Sequence, residues 1–190
     1  MKKEAKSATL APNFSVLLLV DFINPLEFDG AEQLAPKARR AAQCTAILKK
    51  QLRKKRIPCI YANDNFGIWK SDFKDLLKYC RGKPGVVAQM AELLVPEEDL
   101  TILKPRHSAF YGSPLDLLLK QMKTEKIIIT GLSTDICVQL TAMDGFLRGF
   151  SLKVPADCVA AENKVVHKHA LQYMARVLKC DITRSACAIA

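Results

Sequence analysis

The sequence predicts an α/β protein, a three-layer α/β/α sandwich with a central, mostly parallel six-stranded sheet. Three observations predict it. Short apolar runs alternate with longer segments of helical periodicity along the whole chain. Those runs are apolar on both faces, as strands covered by helices on either side must be. No internal repeat, low-complexity tract or linker divides the 190 residues, a length suited to one core. Right-handed crossovers then put helices on both sides of the sheet. Residues 1–12 read as a loose tail and 13–190 as a single domain.

The first strand is SVLLLVD (15–21), five apolar residues closed by Asp21. A helix over 36–55 follows, with Ala38, Ala41, Ala42, Ala46 and Leu48 on its apolar face. It ends in the basic run KKQLRKKR (49–56), where cations complement the negative end of a helix. We read that run as a solvated helix end. IPCIYAN (57–63) is the second strand, and helices are expected at 72–80 and 86–94. LTILK (100–104) is the third, stopped by Pro105, which cannot donate to a ladder. A helix over 114–122 leads to the fourth strand, KIIITG (126–131). The helix 135–148 carries the stripe Ile136, Leu140, Met143, Phe146 and Leu147. FSLKVP (150–155), a helix over 163–178 and CDITR (180–184) complete the pattern.

Composition excludes several classes. No apolar run approaches the roughly 20 residues that span a bilayer. The opening MKKEAKSATLAPN has no apolar h-region, so no export signal is expected and the protein is read as cytoplasmic. Its seven cysteines (Cys44, Cys59, Cys80, Cys137, Cys158, Cys180, Cys187) should then be reduced. Their number is odd and no C-x-x-C pair occurs, which argues against a disulfide framework or zinc knuckle. The net charge of +10 is carried in good part by the 49–56 run. No RNA-binding or helix-turn-helix signature accompanies it, so no nucleic-acid partner is expected. The turn after Asp21 lacks G-x-G-x-x-G, which removes the dinucleotide fingerprint.

In open parallel sheets ligands bind beyond the carboxyl ends of the strands. The polar residues at those ends are Asp21, Asn63, Asp64, Lys104 and the turn GLSTDIC from Gly131. Cys137 falls in the first turn of the helix after that strand, where the positive helix end lowers thiol pKa values. Asp21 is a carboxylate behind an apolar run, suited to act as a base. Lys104 supplies a cation for the carboxylate and for a developing thiolate. Each has an ordinary structural reading by itself, as a packing cysteine, a turn-capping aspartate and an exposed lysine. Their convergence on one sheet edge carries more weight than any of them singly.

Three blocks of the chain also resemble a known family. LLLVDFIN around Asp21, LKPRHSAFYGSPLDLLL around Lys104, and ITGLSTDICVQLTAMDGFLRGFSLKVPADCVAA around Cys137 are similar to the blocks of isochorismatase-like cysteine hydrolases. The resemblance covers roughly 15–185 and implies the same sandwich fold. It implies Asp21, Lys104 and Cys137 as a catalytic triad, with a cis peptide joining Leu132 to Ser133. The N–H groups of Ser133 and Cys137 then form an oxyanion hole. The implied reaction is cleavage of a C–N bond in a small amide, carbamoyl or ureido substrate through a thioester. Vinyl ether hydrolysis and a non-catalytic binding role on the same fold are the alternatives.

In the nicotinamidase branch a metal is held by an aspartate and histidines after the second strand. Here that stretch reads YANDNFGIW, with Phe66 where a histidine would follow Asp64, so no metal or other cofactor is expected. The NDNFG stretch with Trp69 is similar to a subgroup of cysteine hydrolases. Asn65, Trp69, Phe110 and Tyr111 are the candidate substrate-binding residues. His107 is read as a loop histidine and His167 and His169 as surface residues. The resemblance further implies a homodimer or homotetramer acting on a small molecule, with no membrane partner.

Overall fold

The computed structural model describes residues 13–70 and 72–186. The tail 1–12 and Cys187 lie outside the described residues. Five strands form a continuous parallel sheet in the order β3-β2-β1-β4-β5. These are β1 (Ser15–Val20), β2 (Cys59–Asp64), β3 (Leu100–Lys104), β4 (Lys126–Leu132) and β5 (Ser151–Lys153). The sixth, β6 (Val159–Ala160), pairs with Gly131 and Leu132 of β4, beyond the stretch that β5 occupies. The sheet thus has six strands as expected, but the sixth is not CDITR. That segment makes a single bridge, Lys153 to Asp181. The Asp181 carboxylate takes the backbone N–H of Thr183 and the ammonium of Lys153, and this local bonding competes with a ladder.

The helices are α1 (Ala31–Lys54), α2 (Phe73–Arg81), α3 (Val86–Leu93), α4 (Leu115–Gln121), α5 (Gln139–Leu147) and α6 (Lys164–Val177). A π-helical turn, Thr134–Val138, runs directly into α5. The first helix starts five residues before Pro36, which lies inside it. Ala31 and Leu34 are buried there, and their packing outweighs the one hydrogen bond a proline forfeits. In β1 alternate residues serve opposite faces. Leu17 and Leu19 join Leu34, Ala38, Phe73 and Met90 on one side, while Val16, Leu18 and Val20 join Val138, Ala142 and Met174 on the other. Two apolar layers on one strand explain why the run was unbroken by polar residues.

Most of the basic run is exposed, as a solvated helix end should be: Lys50, Gln51 and residues 53–56 face outward. Lys49 and Leu52 turn inward, Lys49 pairs with Asp99 at 2.6 Å, and Arg53 binds Glu97 and Asp99. Among the described residues no helix is long and apolar enough to cross a membrane.

Candidate active site

The carboxyl ends of β1, β3 and β4 bring Asp21, Lys104 and the Cys137 turn together. The chain leaves β1 through Asp21 in a left-handed conformation, φ 53°, a geometry that costs most side chains about 1–2 kcal/mol. Asp21 is held there at both oxygens. Oδ1 accepts the backbone N–H of Asp64 at 2.7 Å and Oδ2 meets Lys104 Nζ at 2.8 Å. Lys104 is fully buried, and its ammonium also lies 3.5 Å from Asp64 Oδ2 and 3.8 Å from Cys137 Sγ. Of the six described cysteines, Cys137 alone is half-exposed and the others are buried.

The turn itself is folded around Ser133. Its carbonyl accepts the N–H groups of Ile136 and Val138, each at 3.2 Å, and its hydroxyl bonds to Asp135. The Leu132–Ser133 peptide is cis. Gly131, with φ 137°, lets β4 approach β1 closely at this point. A Cβ at position 131 would stand 2.0 Å from the Val20 carbonyl oxygen, so no side chain fits.

Electrostatics overturn one expectation. The thiol pKa is pushed up, by burial first and then by Asp21, with Lys104 pulling the other way. Burial, with two nearby carboxylates, outweighs the helix-end effect expected to lower it. Burial likewise raises the Asp21 carboxyl above its ordinary value, against the pull of Lys104. For Lys104, burial opposes the charge, but Asp21, Cys137 and Asp64 outweigh it and hold the ammonium above its usual range. The resting thiol is therefore protonated and must give its proton to a base.

The candidate substrate-binding residues separate. Asn65 lines a cavity of about 630 Å³ that also touches Asp64, and its backbone N–H donates to the Lys104 carbonyl at 3.0 Å. Trp69 is 79% exposed on the surface and lines no described cavity. Phe110 is 4% exposed, stacked on Phe150 with centroids 6.0 Å apart; it packs the core and forms no pocket wall. Tyr111 lines a separate depression of about 430 Å³, together with His107, Leu140 and Met143. The walls of the larger cavity include Phe28, Phe66, Ile68, Leu76 and Tyr79, none of them singled out in the sequence as pocket walls. Tyr79 had one available signal, an aromatic residue off the buried Phe73, Leu76, Cys80 stripe of its helix.

His107 lies on an exposed loop as expected, and of the two histidines read as surface residues only His169 is exposed. His107 Nδ1 lies 3.8 Å from Cys137 Sγ. His167 is half-buried, and its Nδ1 is 2.8 Å from Thr134 Oγ1, within the Cys137 turn. Asp64 does not suit a metal of the nicotinamidase kind. One oxygen accepts the Phe66 N–H at 2.7 Å, the other faces the Lys104 ammonium, and Phe66 offers no ligating atom. Among the described residues no three His, Cys, Asp or Glu side chains are grouped to hold a metal ion.

The sequence profile described as Isochorismatase domain matches residues 15–185, a span that contains every strand and every residue of this site. The chain belongs to the isochorismatase-like hydrolase family. Within it, the chain is 37% identical over 169 residues to the uncharacterized isochorismatase family protein YaaI of Bacillus subtilis, covering 88% of this chain and 92% of that one. Ureidoacrylate amidohydrolase RutB of Enterobacter sp. is 43% identical over 65 residues, which is 34% of this chain and 28% of that protein. Among solved structures, N-carbamoylsarcosine amidase from Thermoplasma acidophilum superposes with a TM-score of 0.71 at 24% identity, covering 94% of this chain and all of that one. The nicotinamidase of Staphylococcus aureus gives 0.69 at 21% identity over 92% and 99%. At those identities the two structures speak for the shared family fold.

Proposed function

We propose that this chain is a cysteine hydrolase that cleaves a C–N bond of a small amide, carbamoyl or ureido substrate, with Asp21, Lys104 and Cys137 as its triad. One observation carries the proposal: a single buried ammonium, Lys104 Nζ, stands within 3.8 Å of both the Asp21 carboxylate and the Cys137 sulfur. A base, a cation and a nucleophile on three strand ends are the parts an acyl transfer requires.

Asp21, its pKa raised toward that of a working base, accepts the thiol proton on the buried side while Lys104 supports the sulfur. Sulfur attacks the carbonyl carbon, and the oxyanion rests on the N–H groups of Ser133 and Cys137. Loss of one such donor typically costs about 10²–10³ in rate. Protonated Asp21 gives its proton to the departing amine or ammonia, leaving a thioester. It then takes a proton from water, whose oxygen attacks that thioester, and returns that proton to the departing sulfur, which restores the thiol and the carboxylate. The cavity beside Asp64, with Asn65 at its edge, receives the substrate. The names of N-carbamoylsarcosine amidase, nicotinamidase and ureidoacrylate amidohydrolase, to which the chain is similar, agree with C–N cleavage.

The test is ammonia release from a panel of small amides and ureido compounds by wild type and Cys137→Ala. Release by wild type and none by the variant, with circular dichroism unchanged, is the expected result. Equal release by both would sink the cysteine mechanism. The same reading includes assembly into a homodimer or homotetramer, which sedimentation velocity decides; exposed Leu140 and Leu147 beside Tyr111 favour association.

A further inference from the structure

The walls of the cavity beside Asp64 describe the molecule that enters it. Phe28, Phe66, Ile68 and Tyr79 are all exposed, and all four line this one space of about 630 Å³. Large apolar side chains left open to water around one concavity mark a binding surface. Covering them takes an apolar body of about the size of a ring, which a bare amide group lacks.

The charged groups on the same walls have one sign. Glu27, Asp64 and Asp75 line the cavity, and among the described residues no lysine, arginine or histidine does, in a chain whose net charge is +10. Their counterions are not wall residues. Lys83 meets Glu27 at 2.6 Å, and Lys104 is shared by Asp64 and Asp21. Four carboxyls thus face two ammoniums, and the excess is negative whether Asp21 holds its proton or not.

Each wall carboxylate also has a partner of its own. Tyr79 Oη donates to Glu27 at 2.8 Å, the Phe66 N–H donates to Asp64 at 2.7 Å, and Asp75 belongs to the capping box of α2. Lys83 and then Tyr79 hold the Glu27 carboxyl below its ordinary value, so its charge is present at neutral pH. An entering carboxylate would shed water beside this excess and find no free cation. A cationic group would shed its water into an apolar space for carboxylates already engaged. An uncharged amide meets neither penalty.

We infer that the substrate is an uncharged amide with an apolar, ring-sized body, and that Glu27, Asp64 and Asp75 exclude its carboxylate-bearing counterparts. The inference rests on the reading that this cavity receives the substrate, and it narrows the substrate class of that reading.

The experiment is isothermal titration calorimetry on Cys137→Ala with benzamide, its para-carboxylate and acetamide. Benzamide should bind at least about tenfold more tightly than either of the others. Glu27→Gln, added to that variant, removes a wall charge and releases Lys83. It should bring benzamide and its carboxylate within about threefold of each other. The inference is overturned if the carboxylate or acetamide binds as tightly as benzamide, if benzamide does not bind, or if Glu27→Gln leaves the difference unchanged. No bond is cleaved in this assay, so its outcome is independent of the cysteine mechanism. Cys137-dependent ammonia release from carboxylate-bearing amides alone would keep that mechanism and overturn the substrate class.

Discussion

Lys49 and Lys104 are both buried lysines tied to aspartates, placed at opposite ends of the same sheet. At the amino ends of the strands, Lys49 Nζ meets Tyr61 Oη at 2.8 Å, the Val95 carbonyl at 3.0 Å and Asp99 at 2.6 Å. An ammonium has three N–H bonds, and all three are taken. At the carboxyl ends, Lys104 has one partner at 2.8 Å and two others at 3.5 and 3.8 Å, the last of them a sulfur. The first cation is saturated and serves as a tie between α1, β2 and the start of β3. The second keeps attraction in reserve for whatever charge develops beside it. Because a buried ion pair adds little net stability over an apolar substitute, incomplete coordination is the better mark of chemistry.

The largest effect that could break this contrast is on turnover. Lys104→Met should lower kcat/KM for a responsive amide at least about 10³-fold, while the fold survives because Asp21, raised by burial, takes up a proton. Retained activity would make the two lysines alike. Lys49→Met should do the reverse. We expect a loss of about 3 kcal/mol in urea unfolding, the cost of breaking a buried pair, with kcat/KM within about twofold of wild type. Tyr61→Phe removes one acceptor from Lys49 and should cost about 1 kcal/mol in the same assay, sharpening the case for saturation.

The smallest effect is common to both halves of the molecule. Burial pushes the Cys80 and Cys180 thiols up to about 11 from an ordinary 9.0. A raised folded pKa means that stability is full below pH 9 and is lost as pH climbs through 11. At pH 9 the loss is about 0.4 kcal/mol per thiol, measurable as a falling urea midpoint. A midpoint that rises from pH 8 to 10 would contradict the sign.

The sheet was legible because its strands are apolar on both faces and end abruptly in polar residues. Asp21, Lys104 and Cys137 could be placed for the same reason, since the end of an apolar run locates the end of a strand. Val159–Ala160 could not, as two residues have no period, and CDITR was misread because its alternation is spent on a turn around Asp181. His107 and Phe28 lie in loops, where nothing periodic states which way a side chain points. Lys49 looked like one cation among many in a basic run. Only Tyr61 and Asp99, distant in sequence, distinguish it.

At position 131 the side chain is a single hydrogen, and the separation of β1 from β4 is set by it. That separation determines how far the carboxylate on one strand stands from the turn that carries the thiol on the next. The molecule therefore divides into parts open to innovation and a part closed to it. Under the proposed function, Phe28, Tyr79 and the other cavity walls are the positions to exchange for a new substrate, since none of them belongs to the triad. Any residue larger than glycine at 131 alters the reacting groups for every substrate at once, so a laboratory search for new specificity should vary the walls and leave this spacer untouched.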